Sequence, residues 1–168
     1  MKWVLIAIAF VVALVSVVGI VGALLPERHV ASGSATLDAP PEEVWAVITA
    51  FEEAPAWRPG VKRMERLPDR NGHPVWVEVG RQGRLTYEVT EIDPPRHMVT
   101  VIADPELPFG GSWTYDLVPE GTGTRVTITE KGEIYNPIFR FMARFVFGYD
   151  GTLRRYLNAL SERLGRTP

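Results

Sequence analysis

The sequence predicts an α+β domain, a curved antiparallel sheet of about seven strands wrapped on a long C-terminal helix, joined to one N-terminal transmembrane helix. Three observations lead there. Val4 to Leu25 is an unbroken run of apolar and small residues, interrupted only by Ser16, Gly19 and Gly22. From Lys62 onward apolar residues alternate with polar ones, and Gly, Pro, Asn and Asp cluster where a chain would turn. Residues 136–164 then change to helical spacing, with Ile138, Met142, Phe145, Tyr149, Leu153, Tyr156, Leu157, Leu160 and Leu164 three and four apart. A sheet that buries one face and curls is covered economically by one helix along its concavity.

Composition narrows the function. The 168 residues leave room for one domain plus an appendage, divided here into an anchor, residues 1–26, and a folded domain, residues 27–168. A net charge of -2, with 18 basic residues dispersed among 20 acidic ones, argues against a nucleic-acid surface. The absence of cysteine removes thiol catalysis, disulfides and thiolate metal sites. His29, His73 and His97 are too scattered for a metal centre, and no cofactor is implied.

The N-terminal run exceeds the roughly 20 residues that span hydrocarbon and the roughly 7–15 of a signal-peptide core, so an uncleaved anchor is expected over cleavage after Ala23. Lys2 and the terminal amine precede it, which places the N-terminus in the cytoplasm and the domain outside. Ala9-x-x-x-Ala13 and Gly19-x-x-x-Ala23 fit small-residue helix pairing, a spacing common in any such span.

Val30 to Leu37 reads as a strand, ended by Asp38-Ala39-Pro40-Pro41. A helix follows with Pro41 at its first position and Glu42 and Glu43 in its first turn, buried through Val44, Val47 and Ile48. Pro55 and Pro59 confine the next segment to a short helix or turn carrying Trp57. Strands are expected at residues 64–67, 74–79, 85–92, 97–103, 112–118 and 124–134, with turns at 69–72, 80–83, 93–96 and 120–123. Such short turns imply an antiparallel meander. Leu85, Tyr87 and Val89, then Trp113, Tyr115 and Leu117, then Val126, Ile128 and Glu130 share the face toward the last helix. That helix starts with Asn136 as cap and Pro137 at the first position, bends near Gly148 and Gly151, and closes at Gly165.

The stretch ATLDAPPEEVWAVITAFEEAPAW, a meander with Asp93-Pro94-Pro95-Arg96 at a turn, and NPIFRFMARFVFGYDGTLRRYLNAL resemble the START-like superfamily of polyketide cyclases, lipid-transfer proteins and Bet v 1-type allergens. The resemblance covers about residues 30–164 and implies a helix-grip fold around an apolar cavity. It transfers a pocket and no particular reaction. The N-terminal span departs from the soluble members.

The expected ligand is a small hydrophobic or amphipathic molecule, such as a lipid, a quinone or a polyketide-like aromatic, with the membrane engaged through residues 4–25. Trp57, Trp76, Tyr87, Trp113 and Tyr115, with Phe139, Phe141, Met142 and Phe145 from the gripped helix, would line the pocket; for each one alone, core filling is the plainer reading. Leu107 and Phe109 would form a lip over its mouth, hinged at Gly110 and Gly111. Glu130 is the one weak catalytic candidate, an inward carboxylate that would act beside a Tyr in a cyclase, dehydratase or hydrolase. Its blander fates are a bulge at Gly132 that turns it outward, or a partner in Arg81 or Arg84. Arg140 and Arg144, four apart among phenylalanines with no acidic neighbour, would lie at lipid headgroups, or else be solvated or paired with Asp and Glu of the sheet rim. A third function class is a scaffold whose groove receives a protein segment.

Overall fold

A computed structural model describes residues 1–81 and 83–164. Gln82, within the expected turn at 80–83, and Gly165, the expected close of the last helix, lie outside the described residues. The order is α1 (Lys2–Leu24), β1 (Arg28–Leu37), α2 (Pro41–Thr49), a 3-10 helix (Phe51–Ala56), then β2 (Val61–Arg70), β3 (His73–Gly80), β4 (Gly83–Asp93), β5 (His97–Ile102), β6 (Phe109–Glu120) and β7 (Gly123–Ile134). The chain continues through α3 (Pro137–Met142), a π-helical turn (Ala143–Phe147) and α4 (Gly151–Arg163).

The seven strands form one antiparallel sheet in the order β1-β7-β6-β5-β4-β3-β2, a meander closed at one edge by β1. Register explains the core. Met98, Tyr115, Ile128 and Gly33 line up across β5, β6, β7 and β1, and Leu117, Val126 and Ala35 form the next row. Since side chains alternate across a strand, these rows share the concave face. There they meet Leu153, Tyr156, Leu157 and Leu160 of α4, with Val44 and Ile48 of α2 at one end of the core. Gly33 permits the close approach of α4 to β1, because a Cβ there would sit 3.1 Å from Leu157 and 3.7 Å from Leu153. A register shift between Val89 and Glu91 bends β4.

At the distal end, Thr124 donates its hydroxyl to the Ala39 carbonyl at 2.7 Å, fixing the turn between β1 and α2. The start of α2 is as expected, with Pro41 in its first turn and Glu42 and Glu43 beside it.

The last helix is not continuous. Asn136 accepts from the amides of Ile138 and Phe139 and opens α3, but the chain relaxes into a π-turn and breaks at Gly148, whose φ of 74° suits glycine. Only α4 lies in the grip. Helix α3 turns instead to the C-terminal end of α1, where Gly22 is buried and a Cβ would collide with the Pro137 carbonyl. The expected bend is thus a change of partner. The remainder of α1 exposes its apolar side chains, and among the described residues it is the one helix long and apolar enough to cross a membrane.

Candidate functional site

Inside the grip, an aromatic cluster encloses a charged pair. Trp57 follows the 3-10 helix, and its ring meets Tyr156 of α4 edge-on at 5.3 Å between centroids. Trp113 meets the same tyrosine at 5.8 Å, and Tyr115 does so at 5.8 Å. Phe51 approaches Trp76 at 5.2 Å and Tyr87 at 6.0 Å. Of the rings expected to line a cavity, Trp57, Trp113 and Tyr115 therefore gather around Tyr156, and Trp76 and Tyr87 around Phe51.

Arg58, immediately after Trp57, reaches Glu78 of β3 at 2.7 Å, with 21% and 20% of the two side chains exposed. Its guanidinium lies 5.2 Å from the centre of the Tyr156 ring. Burial disfavours the guanidinium charge, but Glu78 and more weakly Tyr156, Tyr115 and Tyr87 outweigh that cost and raise its pKa further. Tyr87 is held well above the usual phenol range by burial, which outweighs the opposing pull of the Arg58 charge. Tyr115 is pushed up to about 12, again chiefly by burial and against the pull of the Arg58 charge. Tyr156 is raised by burial and then by Tyr115. All three phenols therefore remain protonated donors at neutral pH. The indole N–H of Trp57 is buried with no hydrogen-bond partner among the described residues.

The helical half of the expected lining does not join this cluster. Phe139 and Phe145 are exposed because α3 and the π-turn face α1 and solvent, and Phe141 meets Phe145 in a tilted contact at 4.9 Å. Met142, partly buried, closes α3 on the same side of the break. Phe109, Gly110 and Gly111 are not a hinged lip; they pair with Ile134, Glu133 and Gly132 as the first residues of β6, leaving Leu107 in the preceding loop. Arg140 is not at a headgroup surface. It is 8% exposed, donates to the carbonyls of Leu25 at 2.9 Å and Tyr135 at 3.3 Å, and lies 3.6 Å from Glu27. It thus ties the end of α1 to the domain, as a cation suits a helix C-terminus. Arg144 is exposed and lies over the Phe145 ring.

Glu130 keeps its inward parity. β7 pairs without a register shift through Gly132 on both sides, so the anticipated bulge is absent there. Its partner is neither Arg81 nor Arg84, since Arg84 binds Glu65 at 2.7 Å. Instead His29 Nε2 lies 3.4 Å from Glu130, and the imidazole stacks on Tyr149 at 4.1 Å. This group sits beside the chain break, and no charged residue of the Arg58 cluster takes part in it. Among the described residues no three His, Asp or Glu side chains converge as a metal site. Two grooves, of about 720 and 330 Å³, run outside the grip: Phe147, Arg155 and Asn158 line the first, Gly33, Leu157 and Ser161 the second.

Sequence reasoning missed Arg58, Glu78 and the role of Tyr156. Glu78 carried a signal, because it shares parity with Trp76 on β3.

The family model for polyketide cyclase/dehydrase and lipid transport proteins matches residues 28–165. The chain belongs to this family. Its fold is one that binds hydrophobic ligands. A START superfamily protein from Mycobacterium smegmatis is similar with a TM-score of 0.66 at 21% identity, over 82% of this chain and 97% of that one. An aromatase/cyclase from Streptomyces sp. R1128 gives 0.67 at 14%, over 82% and 94%. Norcoclaurine synthase from Thalictrum flavum, in complex with a transition-state analogue, gives 0.64 at 12%, over 82% and 94%. These likenesses establish the helix-grip fold. No curated protein matches the chain.

Proposed function

We propose that this family member is a membrane-anchored binding protein for a small amphipathic ligand held between the sheet and α4. The observation that carries the reading is the Arg58–Glu78 pair among Tyr87, Tyr115 and Tyr156. A domain that needed only stability would fill this space with aliphatic side chains, because replacing a buried ion pair by apolar residues is often neutral or favourable. The ligand's apolar body displaces the ring contacts around Tyr156, and its polar end meets protonated phenols, the guanidinium and the unsatisfied Trp57 N–H. Lipids, quinones and polyketide-like aromatics share that chemistry.

Residues 1–26 serve as the anchor in this reading, with Lys2 on the cytoplasmic side and residues 27–168 on the other. A 23-residue helix rises about 34 Å, enough for the hydrocarbon layer.

The test is native mass spectrometry of the full chain released from detergent micelles, followed by denaturing extraction. A defined small molecule is expected with the wild type and lost from the double variant R58M/E78L when that variant keeps its far-ultraviolet dichroism. A wild type that emerges empty and takes up neither added quinone nor fatty acid overturns the reading.

A further inference from the structure

Large exposed apolar side chains gather in two places, along α1 and on the segment that α1 touches. Ile138, Phe139, Phe145, Val146 and Phe147 stay 41–69% exposed although α1 is packed on α3. Phe109 and Tyr135 are exposed at the same end of the sheet, where β6 begins and β7 has just ended. Elsewhere on the domain, among the described residues, such side chains are single, as at Ile92 and Val118.

The acids beside this patch are paired: Glu27 lies 3.6 Å from Arg140, and Glu133 pairs with Arg28 and accepts from the Tyr135 hydroxyl. Residues 136–149 contain no acid, Arg140 is turned inward, and Arg144 is exposed. Beyond Phe147 the larger groove continues along the outer face of α4 past Arg154 and Arg155; Arg154 is paired with Asp150 at 3.0 Å. Apolar rings followed by guanidinium groups match the boundary between acyl chains and anionic headgroups.

From this continuity with the anchor we propose that residues 137–147 are a second membrane-inserted element, with Phe139, Phe145 and Phe147 in the acyl boundary and Arg144 and Arg155 at the headgroups. The occupant of the patch is the bilayer itself. Docking α3 on Gly22 and tying Arg140 to Leu25 holds the patch at the point where α1 ends, which is where a membrane surface would cross the molecule. The domain is then seated on the lipid by its α3 end, and Gly148 separates the inserted segment from the α4 helix of the grip. The inference rests on the anchor reading of α1.

The absence of native cysteine allows a clean experiment. Single variants F145C, F147C, L14C and V118C of the full chain carry an environment-sensitive fluorophore in phosphatidylcholine–phosphatidylglycerol vesicles, with and without lipids bearing a nitroxide near the headgroup end of the acyl chain. The expected result is quenching of roughly twofold or more at 145 and 147, deeper placement at 14, and no effect at 118, the distal end of the sheet. Positions 145 and 147 that behave like 118 while 14 is buried overturn the inference and leave the anchor standing. Oxidative cross-linking of F147C between two copies, without quenching, overturns it in favour of a second chain on the patch. A fluorophore at position 14 that emits as it does in water removes the anchor reading and this inference with it.

Discussion

Removing Arg58 alone should expose what the buried pair costs. In R58M the Glu78 carboxylate keeps its place, about four-fifths buried beside Trp76 and near three protonated tyrosines, without the cation that lay 2.7 Å away. Breaking a fully buried pair costs about 3–5 kcal/mol, and the residual exposure here reduces that to about 2–3 kcal/mol. For a domain of this size the melting temperature should fall by roughly 5–10 °C. In R58M/E78L both charges are gone, and stability should return to within about 1 kcal/mol of the wild type. The assay is urea unfolding of the full chain in detergent at neutral pH, followed by tryptophan emission, since Trp57, Trp76 and Trp113 all border the pair's aromatic surroundings. A loss below about 0.5 kcal/mol in R58M, or a double variant no better than the sum of its single changes, would show a solvated pair and sink the argument. Stability restored in the double variant, together with ligand lost from it, would mean that the pair is kept for binding.

Two further outcomes follow from the geometry. In G132A the new Cβ would fall on the His29 ring and 3.0 Å from a Glu130 oxygen, so the imidazole must leave either its carboxylate or Tyr149. A loss of about 1–3 kcal/mol is expected in a thermal melt, and a neutral result would mean that the His29 ring moves aside freely. His97 is raised above its ordinary 6.5 first by its hydrogen bond to Asp116, against some desolvation, with Glu91 adding to the rise. The protonated ring is the form that gains, so the wild type should exceed D116N most below pH 6.5, as long as Asp116 is ionised, and the gap should close as pH climbs through the raised value. A gap that widens with rising pH would refute the assignment.

The amino-acid pattern alone determined the anchor-length helix, the meander and the inward parity of Tyr87, Trp113, Tyr115 and Glu130, because each follows from local period and turn chemistry. It also determined that residues 136–164 are helical and weak near Gly148. Which half of that segment enters the grip was decided only in three dimensions. Ile138, Met142 and Phe145 belong to an apolar stripe as convincing as that of Leu153 and Leu157, and the φ of 74° at Gly148, the fit of Pro137 on Gly22 and the bond from Arg140 to Leu25 direct the first half to α1. Arg140 reads as a free cation in the sequence because the carbonyls of Leu25 and Tyr135 to which its two terminal nitrogens donate are backbone acceptors, which leave no trace in residue type. On β3, Val75, Val77 and Val79 resemble the core row, and Glu78 resembles the solvent row. Both faces of β3 are in fact buried, Val75 and Val77 as well as Trp76, and the pairing of Trp76 with Tyr87 puts Glu78 on the side of the aromatic cluster, where it meets Arg58. Local periodicity specifies which residues share a face; which face is inside, and what meets it, depends on contacts between residues far apart in the chain.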